Sequence, residues 1–209
     1  MLQTSNSAID IETDSPALLT LYLPHDLKLN ISHEDFEKLA AVNRDIRLER
    51  TSAGELIVNP PTGWETGERN ADVIYQLLKW VREQGGNGKV FDSSTAFILP
   101  NGATYSPDAS WISQSKWNSL TDVQQQTFAR VCPEFVVELR SKSDLLKPLQ
   151  EKMAEYMENG AKVGWLINPK QRQVEVYRAG KAVEILQNPQ TVSGEDVLVG
   201  FVLQLNLIW

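Results

Sequence analysis

The run "EFVVELR" at 134–140 is the most constraining stretch of this chain. It is rich in β-branched and aromatic residues and reads as a strand bound for the interior. It nevertheless carries Glu138 and Arg140, two residues apart and so on one face of that strand. An ionised carboxylate without a partner is costly away from water, so a fold that buries this strand must give Glu138 a cationic partner.

The neighbouring segments say what covers the strand. Residues 144–158 form a helical pattern stopped by "ENG", where Gly160 suits a left-handed cap. Leu145, Leu149, Met153 and Tyr156 fall on its apolar side, with Lys147, Glu151 and Glu158 opposite. Lys152 lies beside Tyr156, at the border of the apolar stripe. A second buried strand, "KVGWLINP", follows, then "QVEVYRAG" and "KAVEILQ" as a hairpin over "RAGK", and "FVLQLNLIW" as a last strand.

Upstream, Ser32 opens a helix in "SHEDFEKLAAVN", and "IRLERTSAGELIVN" reads as a hairpin turning near Gly54. "PPTGWETG" reads as a loop, and 68–82 has helical spacing ended by "EQGGNG". Strands then follow across 89–113, with "PNGA" as a turn, before a polar segment leads to the run at 134. The expected architecture is α/β, a mixed central β-sheet with helices packed on it. The expected domain is 29–209, preceded by a flexible leader over 1–28.

With 42% hydrophobic residues and six tryptophans, 209 residues suffice for a sizeable core. The single cysteine, Cys132, forms no internal disulfide and points to a reducing, cytoplasmic compartment. No stretch approaches the roughly 18 apolar residues of a membrane span. The net charge of −7 argues mildly against indiscriminate binding to nucleic acid, although local basic patches can survive in an acidic total.

Three residues carry the chemistry. Asp108 in "YSPDASW" follows a proline that cannot donate a ladder bond, so it belongs at a strand start or edge. Taken singly it is also the residue of an Asx turn. Lys152 taken singly is a snorkelling lysine, and Glu138 is one half of a buried ion pair with Arg140 or Lys152. Taken together, an aspartate and a glutamate on neighbouring strands supply the carboxylate half-shell that Mg²⁺ prefers, and a nearby ammonium can orient a water or stabilise charge on a phosphate.

The set "SPD", "PEFVVELRS" and "EKMAEYMENGAKVGWLINP" resembles the Uma-two family of putative restriction endonucleases, within the PD-(D/E)XK nuclease superfamily. The resemblance runs from about residue 30 to the C-terminus and is strongest over 104–169. It implies a restriction-endonuclease-like core cutting nucleic acid, DNA first, with Mg²⁺ or Mn²⁺. It implies catalytic roles for Asp108, Glu138 and Lys152, with Tyr156 four residues after the lysine. It also implies a further acid from the N-terminal helix region, for which Glu65 is the preferred match and Glu68 the next. The chain departs from the superfamily at one place: the usual lysine two residues after the second acid is Arg140 here, which stays protonated and cannot serve as a base. Either Lys152 takes that role, or Arg140 clamps a phosphate or pairs with Glu138. A homodimer would bring two such sites to the two strands of a duplex. The competing reading is a nuclease-like fold that binds nucleic acid or a partner protein without cutting. A hydrolase of small phosphate esters ranks last, because no phosphate-cradling glycine loop is present.

Overall fold

The computed structural model describes residues 28–127 and 130–209, so all but the last residue of the expected leader lies outside the described residues. The first helix, α1 (His33–Val42), is capped by the Ser32 hydroxyl, which accepts from the Asp35 N–H, and it buries Phe36. Strands β1 (Arg47–Arg50) and β2 (Leu56–Asn59) form the expected antiparallel hairpin. Helix α2 (Trp64–Glu83) buries Val73, Leu77 and Trp80. It starts four residues before the apolar periodicity begins, because its first turn is exposed, Trp64 included, and leaves no amphipathic trace. "PPTGWETG" is therefore only half loop.

Then come β3 (Gly88–Asp92), β4 (Phe97–Ile98), β5 (Thr104–Tyr105) and β6 (Ala109–Ser113). Two short helices, α3 (Gln114–Asn118) and α4 (Asp122–Gln126), occupy the polar segment, the second with a capping box at Thr121. The fully buried β7 (Phe135–Leu139) leads through α5 (Leu146–Glu158) to β8 (Val163–Asn168). Strands β9 (Gln173–Arg178), β10 (Glu184–Gln187), β11 (Thr191–Ser193) and β12 (Val202–Gln204) complete the chain.

The main sheet has six strands in the order β10-β9-β8-β7-β6-β3. Only β7 and β8 run parallel, joined by the α5 crossover, so the sheet is mixed as expected. Strand alternation sorts its side chains into two layers. Phe135, Val137, Leu139, Trp165 and Ile167 pack with Leu77 and Trp80 of α2 and with Phe201 and Leu203. Val136, Leu166 and Tyr177 face Met153 and Tyr156 of α5. Gly164 lies on this second face, where a Cβ would stand 2.6 Å from the Met153 methyl and 3.0 Å from Val136, so its bare backbone lets α5 sit close on the sheet.

A four-stranded antiparallel sheet, β2-β1-β5-β4, stands beside the first. The chain passes from one sheet to the other at Ser106–Pro107–Asp108, between β5 and β6. The expected C-terminal strand is shorter than its pattern: β12 ends at Gln204 and pairs with β11, not with the main sheet. Leu205 and Ile208 are buried beyond it, so the apolar residues there reflect packing of a turn rather than strand pairing. No described helix is long and apolar enough to cross a membrane.

Candidate active site

The joint between the sheets is where the charged residues meet. Ala109 on β6 pairs with Val137 on β7, and continuing that antiparallel register sets Asp108 beside Glu138. Asp108 Oδ2 accepts the Leu139 N–H at 2.8 Å, which fixes the aspartate against the end of β7. Its other oxygen, Oδ1, has only long contacts, 3.4 Å to Asn70 Nδ2 and 3.5 Å to Arg47 Nη1. Asp108 is at a strand start and not at an edge, since β6 is paired on both sides. Pro107 precedes the first paired residue and costs the ladder nothing. Burial raises the Asp108 carboxyl above the usual carboxylate range, against the pull of the Leu139 N–H, Lys152 and Arg47.

Glu138 points to the α5 side of the sheet and meets Lys152 there, with Nζ 2.8 Å from Oε1. The Tyr156 hydroxyl donates to the same oxygen at 3.3 Å. Among the described residues no donor reaches Glu138 Oε2. The Lys152 ammonium also lies 3.0 Å from Glu49 Oε1, and 5.2 Å from the centre of the Tyr105 ring. It therefore turns inward, and the snorkelling alternative does not hold. The helix border read from the sequence was right for Lys152 but not for Leu145, which is the exposed N-cap residue of α5.

Two opposing effects set the protonation of the pair. Burial pushes the Glu138 carboxyl up to about 8, with Asp108 and Glu49 adding repulsion, while Lys152 pulls it down. Burial likewise opposes the charge on Lys152, but Glu138 and Glu49 outweigh it and hold the ammonium well above the usual lysine range. The lysine is thus a fixed positive charge, and Glu138 is the member of the pair that exchanges its proton.

Glu49 is the acid that the sequence did not single out. Its Oε1 accepts the Ser106 N–H at 2.8 Å, and its neighbour at i−2, Arg47, reaches Asp108. Alternation along "RLER" puts both charges on one face of β1, which is the only local sign of the role. That β1 folds against the 106–108 joint is a long-range consequence of pairing with β5.

Arg140 does not pair with Glu138. Strand β7 ends at Leu139, so the alternation that would place the two side by side stops, and the Arg140 Nε donates to the Asp144 carbonyl at 3.2 Å. Glu65 is in the first turn of α2, 59% exposed, with Lys142 Nζ at 3.0 Å and Arg69 Nη1 at 3.5 Å. It lines the mouth of the same cleft as Asp108 and is not brought into the buried cluster. That cleft, about 540 Å³, has Asp108, Leu139 and Arg140 in its wall together with Arg47, Lys142 and Lys170.

Among the described residues no three His, Cys, Asp or Glu side chains form a metal cage. The two carboxylates that meet, Asp108 and Glu138, each keep one weakly engaged oxygen. That all-oxygen, two-carboxylate set fits Mg²⁺ or Mn²⁺, which retain several waters, and does not fit the nitrogen and sulfur preference of zinc.

The fold is shared with a solved protein. The chain is similar to the crystal structure of a putative nuclease belonging to DUF820 from Anabaena variabilis ATCC 29413, with a TM-score of 0.72 and 18% identity over 85% of this chain and 97% of that one. No curated protein matches. The model of the Uma2 family, described as "Putative restriction endonuclease", matches residues 33–206, a span that runs from α1 through β12 and holds Glu49, Asp108, Glu138 and Lys152. With most of its length and its whole charged cluster inside that match, the chain belongs to the Uma2 family of putative restriction endonucleases.

Proposed function

We propose that the protein is a metal-dependent endonuclease that hydrolyses phosphodiester bonds in DNA, using Mg²⁺ or Mn²⁺, in the cytoplasm. The observation that carries this reading is the meeting of Asp108, Glu138 and Lys152 at the joint between the two sheets, next to a cleft with arginine and lysine in its walls. A bound divalent ion supplies Lewis acidity toward a phosphoryl oxygen and a more acidic water.

The chain's own residues do the rest. Asp108 is held rigidly by the Leu139 N–H and offers Oδ1, while Glu138 offers Oε2. Lys152 stays charged, so it serves by orienting a water and stabilising negative charge on the phosphate rather than as a base. Tyr156 keeps Glu138 Oε1 in place. Arg140, anchored through Nε to the Asp144 carbonyl, keeps its remaining N–H groups for a phosphate. Glu65 enters the metal shell only if it releases Lys142. Two chains acting as a dimer would present two such sites.

Supercoiled plasmid with Mg²⁺ or Mn²⁺ tests the proposal. Nicking should appear with the wild type and be abolished in Asp108→Ala and Glu138→Ala. Nicking that persists unchanged in both variants excludes this site. A second reading, binding without cutting, is favoured by one observation: the ammonium is already shared between Glu138 and Glu49. Salt-dependent binding with no product under any divalent ion would select it.

A further inference from the structure

We infer that Trp64 is a stacking platform for an unpaired base beside the scissile phosphate, so that the preferred substrate is a single-stranded segment of DNA. The inference rests on the nuclease reading of the cleft and names its substrate class. Trp64 is the first residue of α2, its side chain is 96% exposed, and it lines the same cleft as Asp108 and Arg140. Other tryptophans serve the fold: Trp80, Trp111 and Trp165 are 3%, 5% and 0% exposed, and their rings pack on one another or on Phe201. Among the described residues Trp64 takes part in no such packing, so its place at the cleft needs another reason.

The charge around it points to a polyanion. Five cationic side chains line the cleft against three acidic ones, although the chain as a whole carries −7. Phosphates are thus drawn to this opening in preference to the rest of the surface. The chemistry of an indole then narrows the ligand. Its ring N–H donates and nothing on it accepts, so it cannot read the donor and acceptor pattern of a base edge. What it offers is a flat face, and a base face is available only where the base is not stacked in a duplex. The volume agrees, because 540 Å³ lies within the roughly 300–1,000 Å³ range of small-ligand sites and suits a nucleotide rather than a groove of duplex.

The test measures fluorescence anisotropy of labelled DNA with the full chain at low salt, without metal. Three probes are compared: an oligothymidine strand, the same length of abasic strand, and a matched duplex. The wild type should bind oligothymidine about tenfold or more tighter than the abasic strand. Trp64→Ala should lose that difference, so that the two proteins converge on the abasic probe, and Trp64→Phe should restore part of it. Near-equal oligothymidine affinity of wild type and Trp64→Ala, or wild-type preference for the duplex, overturns the stacking role while leaving the nuclease reading to the plasmid assay. Failure of the wild type to bind any of the three also overturns the stacking role, and the plasmid assay still decides the nuclease reading.

Discussion

Lys152 Nζ stands 2.8 Å from Glu138 Oε1, with the two side chains only 12% and 5% exposed, so an ammonium and a carboxyl group meet almost out of water. Desolvation of two such groups costs several kcal/mol, and their attraction repays it only with further hydrogen bonds. Glu49, the Ser106 N–H and the Tyr156 hydroxyl supply these. A core this size could have been closed with leucine or methionine. That it is closed with charge supports the proposed role of the cluster.

Removing the cation exposes the cost. Lys152→Met leaves Glu138 and Glu49 buried without it, and truncating one partner of a buried pair costs about 3–5 kcal/mol. Urea denaturation at pH 8 should show a loss near the lower figure, since Glu138 can take up a proton. The loss should shrink at pH 5 and be partly recovered by adding Glu138→Gln. Unchanged stability at pH 8 would contradict the geometry.

The wild type has its own pH dependence. The Glu138 carboxyl is raised by burial from 4.5 to about 8, so the folded protein keeps a proton that the unfolded chain has released between those values. The contribution of Glu138 is therefore complete below pH 4.5 and is lost as the pH rises to about 8, with a slope of at most about 1.4 kcal/mol per pH unit. Asp108 is shifted in the same direction and adds to the fall. Lys152, shifted up, loses its contribution only above the ordinary lysine range of 10.5. Glu134 and Glu195 are shifted down and act below pH 4.5. Denaturation midpoints across pH 4.5–8 should decline in the wild type, and Glu138→Gln should flatten that decline. An equally steep decline in the variant would assign it to other groups.

Much of this was legible before any coordinates. A buried strand with a charge in it, and a lysine at the border of an apolar helix face, are local patterns, and the structure brings their Glu138 and Lys152 together. Asp108 was legible through its proline. What failed was what local patterns do not encode. Glu49 belongs to a strand that looked like an ordinary half-exposed hairpin, and only β1–β5 pairing carries it to the joint. Arg140 kept the strand period on paper, but the strand ends one residue earlier. Trp64 sat among prolines and glycines that signal a loop, while Gly63 in fact caps a 20-residue helix.

The register of β3 against β6 has a separate test. A Cβ on Gly88 would stand 2.2 Å from the Ile112 carbonyl oxygen and 2.3 Å from Trp111 Nε1. Backbone cannot yield as a side-chain tip can, so Gly88→Ala should destabilise by about 3 kcal/mol in urea denaturation. Gly164→Ala meets the flexible Met153 methyl first and should cost less. Wild-type stability of Gly88→Ala would mean that the two strands are not apposed in this register.

Arg140 separates phosphate binding from metal binding. Arg140→Ala should weaken binding to all DNA probes alike and reduce the slope of log affinity against log salt by about 1. Saturable binding of Mn²⁺ should survive the change. A salt slope identical to the wild type would remove Arg140 from the phosphate path.

Mn²⁺ binding followed by electron paramagnetic resonance tests the central claim most directly. The wild type should take up Mn²⁺ saturably, and Asp108→Asn and Glu138→Gln should each lose that uptake while remaining folded. No saturable uptake by the wild type, or equal uptake by both variants, would contradict the proposal that these two carboxylates form a metal site.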